Sequence, residues 1–166
     1  MESEEAYGIM SARINESHLD RAEEEFNRVG ITILPHVISE DQAENLRAKS
    51  QQHILERNNS DVPKDEMFSW RAPLLSDNDF RTLAMNSDIL SFVQRILRNQ
   101  KMQLQLQNVV ALEPSTKHSQ ARWHRDLPYQ HWVCSACLSV SVIVCLSEFN
   151  ELTGSTMFIP GSHLHE

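Results

Sequence analysis

The chain has 166 residues, of which 40% are hydrophobic and 23% charged, with a formal net charge of −8. That length accommodates one domain with a real core, and no run is long and apolar enough to span a bilayer. A pI near 5.4 makes a phosphate backbone an unfavourable partner, because binding one needs a basic face, so nucleic acid is not expected.

The opening Met1-Glu-Ser-Glu-Glu5 is acidic where a secretory signal carries a positive start and an apolar stretch, and a cytoplasmic protein is expected. Residues 1–20 are polar and poor in aromatics, which fits a flexible acidic arm. From Leu19 the apolar positions Leu19, Ala22, Phe26 and Val29 recur at helical spacing, and Gly30 supplies the C-terminal stop. Ile31 to Leu34 is short and β-branched, ends at Pro35, and reads as a strand.

Ser39-Glu-Asp-Gln42 has the form of a capping box, so a helix is expected from there to about Arg57, with Ala43, Leu46 and Ile54 facing the core. Asn58 to Asp61 and Pro63 break it, and the segment to about Asn78 reads as irregular with one short strand over Phe68–Arg71. A further helix is expected over Asp88–Arg98, buried along Ile89, Phe92, Val93 and Ile96.

After Asn99 the period changes to two. Met102, Leu104, Leu106, Val110 and Leu112 share one face of a predicted strand, and Gln103, Gln105 and Gln107 share the other. Cys137–Ser147 alternates as well, with Leu138, Val140, Val142, Val144 and Leu146 opposite Ser139, Ser141, Ile143 and Cys145. A turn through Asn150–Gly154 leads into a last strand, Ser155–Ile159, closed by Pro160-Gly161. Helices first and antiparallel strands after make an α+β or helix-flanked β-barrel layout.

Two motifs carry possible chemistry. Cys134-Ser-Ala-Cys137 has the spacing of a zinc or thiol-exchange pair, but no second pair exists and a β-rich run follows it, which favours structural thiols. Three cysteines in all are too few for a disulfide framework. His124-x-Asp126, within Ala121-Arg-Trp-His-Arg-Asp-Leu-Pro-Tyr129, sets a nitrogen and an oxygen donor two residues apart. On a strand such residues share a face, and Pro128 would end that strand beside a cavity. Facial N,N,O sites of this kind suit Fe(II) with open positions. Random placement of 8 His and 8 Asp in this length yields roughly 0.4 such pairs. From the pair alone, a hydrogen-bonded turn is the commoner outcome.

The order of "GITILPHVIS", a capped helix, "LEPSTKHSQARWHRDLPY", "CLSVSVIVCL" and "TGSTMFIPGSH" resembles the phytanoyl-CoA dioxygenase family of Fe(II)/2-oxoglutarate oxygenases, over roughly Phe26–His165. The resemblance implies N-terminal helices packed on a double-stranded β-helix, a cupin-like jelly roll. Residues 1–20 are then the arm and 21–166 the oxygenase domain. It makes His124 and Asp126 iron ligands, and places Gln107 and Trp132 at the 2-oxoglutarate pocket. His163 matches the histidine of the Pro-Gly-Ser-His turn, a structural signature and no ligand, and Ala111 stands where some relatives carry a polar cosubstrate contact.

The family's second iron-binding histidine and its 2-oxoglutarate arginine lie beyond that turn and have no counterpart up to Glu166. The expectation is therefore an N-terminal portion of such an enzyme, its jelly roll incomplete at the C-terminal side. The implied activity is O₂-dependent hydroxylation of a small organic substrate of unspecified identity, in the absence of any membrane. Two other readings stay open: a jelly-roll binding module that has lost the iron site, and a homodimer in which exposed strand edges pair across the interface.

Overall fold

The computed structural model describes residues 17–58, 67–98, 101–112, 122–126 and 134–165. Among them are four α-helices, α1 (His18–Val29), α2 (Glu40–Asn58), α3 (Asn78–Ala84) and α4 (Ser87–Ile96). They are joined by two strands, β1 (Met67–Arg71) and β2 (Asn108–Leu112). The chain is thus an α+β protein.

Each helix starts where a side chain satisfies its first free N–H groups. Ser17 and Asp20 form a reciprocal capping box at the start of α1, and Gly30 closes the helix in the left-handed region at φ 84°. At α2 the Ser39 hydroxyl accepts from the Gln42 N–H at 3.2 Å while the Gln42 amide oxygen accepts from the Ser39 N–H at 2.9 Å. Asp77 caps α3. Asn86 caps α4 through its side-chain oxygen and donates its amide to the Val37 carbonyl at 2.7 Å, tying α4 to the segment before α2.

Two apolar clusters follow. In the first, Ala22 of α1 meets Phe92 and Ile96 of α4, with Leu19, Phe26, Leu34 and Val140 packed around them. Phe26 and Phe92 meet edge to face at 5.9 Å, a contact contributing about 0.5–1.5 kcal/mol beyond burial. In the second, Leu46 of α2, Phe80 of α3 and Val109 of β2 pack with Ile38, Trp70, Leu74, Leu83 and Leu146. Val140 and Leu146 therefore bring the 134–147 segment onto both clusters.

The strands pair antiparallel, Met67 opposite Leu112 and Arg71 opposite Asn108. β2 is shorter than its sequence pattern, because residues 101–107 make no ladder. The expected strand Cys137–Ser147 and the strands over 31–34 and 155–159 are likewise irregular here. The reason is physical: period-two patterning becomes a strand only where a neighbouring strand takes its N–H and C=O groups. Among the described residues only β1 and β2 do that for one another.

Several apolar positions of those segments stay in solvent, including Leu104, Leu106, Leu138, Val142 and Met157. The jelly roll is thus not formed among the described residues. The turn at Asn150–Gly154 forms as expected, with Asn150 accepting from the Thr153 and Ser155 N–H groups. α3 was hidden in the sequence by its seven-residue length. α1 begins at His18, so the end of the 1–20 interval is helical.

Candidate metal site

His124 and Asp126 lie in the short described segment 122–126, both exposed. The Nδ1–H of His124 donates to the Arg122 carbonyl at 2.7 Å. A hydrogen bond at Nδ1 fixes the tautomer that leaves the Nε2 lone pair free, which is how metal-binding imidazoles are oriented. Nε2 faces Asp126 Oδ1 at 3.8 Å. That is too long for a hydrogen bond. First-row metals hold nitrogen and carboxylate donors at about 2.0–2.2 Å, so adjacent donors of a facial site lie about 3 Å apart. The pair therefore fits a single ion with modest closure of the gap.

The other carboxylate oxygen is also engaged. Ser141, fifteen residues on, donates its hydroxyl to Asp126 Oδ2 at 2.5 Å. The guanidinium of Arg125, which lies between the two donors in sequence, donates to the His165 carbonyl. The segment is thus tied to two later parts of the chain.

The Pro-Gly-Ser-His turn docks on the C-terminus of α1. Gly161, at φ 76°, donates its N–H to the Val29 carbonyl at 2.8 Å, and His163 Nε2–H donates to the Asn27 carbonyl at 3.2 Å. These bonds satisfy carbonyls that the helix end leaves free. The ring of His163 lies against Gly30, where an added methyl would sit 2.4 Å from Nδ1. His163 and Gly161 thus tie this turn to the end of α1.

Gln107 is half-buried at the start of β2, and both ends of its amide are in use. Oε1 accepts from the Leu74 N–H and Nε2 donates to the Phe80 carbonyl, each at 3.0 Å. Its own carbonyl accepts from the Ala72 N–H at 2.7 Å. In this geometry Gln107 clamps the turn before α3 and α3 itself onto β2. The glutamines before it are exposed. Trp132 lies outside the described residues, as do His118 and His131.

Among the described residues no three His, Cys, Asp or Glu side chains converge, so the site consists there of two donors. Cys134 and Cys137 are free thiols. Desolvation of its sulfur pushes the Cys137 thiol above its ordinary value, although part of the side chain is exposed. A thiol-exchange cysteine needs the opposite shift. Ser141 is the site residue that the sequence reading did not single out. The signal was its place on the serine face of the Val-rich run.

The phytanoyl-CoA dioxygenase family model matches residues 26–166. The chain belongs to that family. It is 26% identical over 160 residues to "Uncharacterized protein Rv1501" of Mycobacterium tuberculosis, and equally to "Uncharacterized protein Mb1539" of Mycobacterium bovis. Each alignment takes in 90% of this chain and 57% of the relative. The chain therefore spans little more than half the length of these relatives. No solved structure matches it.

Proposed function

We propose that this chain carries part of the iron site of an Fe(II)/2-oxoglutarate-dependent dioxygenase that hydroxylates a small organic substrate, with residues 21–166 forming part of its jelly-roll domain. The observation that carries the reading is the tautomer lock on His124, which turns a free Nε2 toward Asp126 Oδ1 at 3.8 Å.

His124 and Asp126 would hold Fe(II) from one side, and the remaining protein donor would come from outside the described residues. When bound, the iron and 2-oxoglutarate supply O₂ activation coupled to decarboxylation of the cosubstrate to succinate. The chain's own part is to fix the directions of the His124 and Asp126 side chains and to orient the substrate. Trp132 remains the proposed aromatic wall of the 2-oxoglutarate pocket. Gln107 would reach that pocket only if its amide exchanged one of its two backbone partners. The enzyme is proposed to work in the cytoplasm on a small molecule and O₂. Pairing of two copies would supply the strand edges with partners.

Anaerobic titration with Fe(II) and 2-oxoglutarate tests the reading. A visible metal-to-cosubstrate charge-transfer band is expected, absent in His124→Ala and in Asp126→Ala. A band of the same intensity in either variant removes the assignment.

A further inference from the structure

We propose that Ser141 is a positioning residue for the metal site, anchoring one oxygen of Asp126 so that the other is presented alone to the ion. The inference rests on the iron-site reading above and concerns a residue which that reading leaves out.

Three observations carry it. Asp126 is well exposed, with 65% of its side chain in solvent, so burial among the described residues does not fix its rotamer. An unrestrained carboxylate is free to turn either oxygen, or both, toward a cation. Ser141 removes that freedom, because its hydroxyl donates to Oδ2 at 2.5 Å while Oδ1 is the oxygen facing His124 Nε2. The two anchors are complementary: the Arg122 carbonyl fixes the imidazole from behind and Ser141 fixes the carboxylate from behind.

The chemical consequence concerns how many positions the carboxylate takes. With Oδ2 drawn toward the Ser141 hydroxyl, binding of an ion through Oδ1 alone is favoured over a two-oxygen chelate. A position on the metal that a two-oxygen chelate would fill is then left for a cosubstrate. Partners of ligand side chains typically contribute 10- to 100-fold to metal affinity, because they determine ligand orientation before the metal arrives. Ser141 is itself exposed, so losing its hydroxyl leaves no buried group unsatisfied and costs the fold little.

The test uses Co(II) as the probe, titrated anaerobically into the full chain against a competing chelator, with its visible absorption as the readout. Ser141→Ala is expected to weaken binding about 10- to 100-fold and to change the Co(II) absorption envelope. Ser141→Thr, which keeps the hydroxyl, is expected to bind as the parent chain does. The unfolding midpoint of the metal-free Ser141→Ala chain should match the parent.

In an Asp126→Ala background the Ser141→Ala change should add nothing, since the group it positions is gone. Equal affinity in Ser141→Ala and the parent overturns the proposal while leaving the iron site standing. An undiminished loss in the Asp126→Ala background also overturns it, because the serine then acts elsewhere. If the parent binds Co(II) no better than His124→Ala, the iron site falls, and the role of Ser141 falls with it.

Discussion

Gln107 shows how one side chain can hold three backbone elements. Its amide joins the Leu74 N–H to the Phe80 carbonyl while its main chain enters β2. Replacing it with leucine keeps the bulk but leaves a donor and an acceptor without partners in a half-buried place. Such orphaned groups cost about 1–3 kcal/mol each when water cannot reach them. Gln107→Leu is expected to lower stability by about 2 kcal/mol in urea unfolding. Gln105→Leu, at an exposed position two residues earlier, should change it by less than about 0.5 kcal/mol. If the two variants behave alike, the clamp is not what fixes this region. The alternation of glutamines foretold a polar face common to Gln103, Gln105 and Gln107. The structure separates them, because only Gln107 meets backbone groups that need partners.

Among the elements, α1 is the one whose two ends are most fully specified. Gly30 stands in the left-handed region, where an L side chain is strained, and its missing Cβ is also the space that the His163 ring fills. Gly30→Ala therefore incurs both backbone strain of about 1 kcal/mol or more and a collision with His163. A loss of about 2 kcal/mol or more is expected in thermal or urea unfolding. Truncating His163 to alanine in the same chain should relieve the collision and leave the strain. A double variant no better than the sum of the two singles would show that the ring is not what Gly30 accommodates.

The helices were legible because their information is local. Ser39 to Gln42 and the Gly30 stop lie within a turn of the residues they cap, and the apolar stripe of α4 is visible in its own ten residues. Ser17 with Asp20 is equally local, but it sits next to a polar stretch with no apolar periodicity to mark a helix start. The strands were only half legible. Val140 and Leu146 do turn to the core, as the alternation implied, yet their segment forms no ladder. A period of two records which side chains turn inward, and the partner that completes the ladder is non-local. The metal pair was legible as two letters. That Ser141 stands behind the second of them is a contact across fifteen residues that no spacing encodes.

At the scale of the whole molecule, ion pairs join helices far apart in sequence. Arg95 of α4 bonds Asp20 and Glu23 of α1, and Lys49 of α2 bonds Asp77 at 2.7 Å and Asp79 at 2.6 Å beside α3. The Arg95 guanidinium, helped by Ser17, holds the Asp20 carboxyl down to about 2. Lys49 lowers Asp77 and, with Asn45, lowers Asp79. A carboxylate whose folded value lies below its unfolded one contributes stability that is complete above the unfolded value of about 3.9. That contribution is lost as pH falls through the folded value. The urea midpoint is therefore expected to fall between about pH 5 and pH 2, and Arg95→Ala should flatten the steepest, most acidic part of that decline. An identical pH profile in Arg95→Ala would mean that the α1–α4 pairing contributes nothing to acid resistance.

The docking of the Pro-Gly-Ser-His turn on α1 also has a meaning in time. The carbonyls of Asn27 and Val29 are made early in synthesis, but the groups that satisfy them, His163 and Gly161, are 136 and 132 residues further on. At the usual rate of about 5–20 residues per second, the end of α1 waits about 7 to 27 s for its partners on the ribosome. In the first part of that interval the helix has only its own caps, Ser17 and Gly30, and then α4 supplies Phe92, Ile96 and Arg95. The Gly30 stop that was visible in the sequence thus acts on α1 before any distant partner of the helix exists.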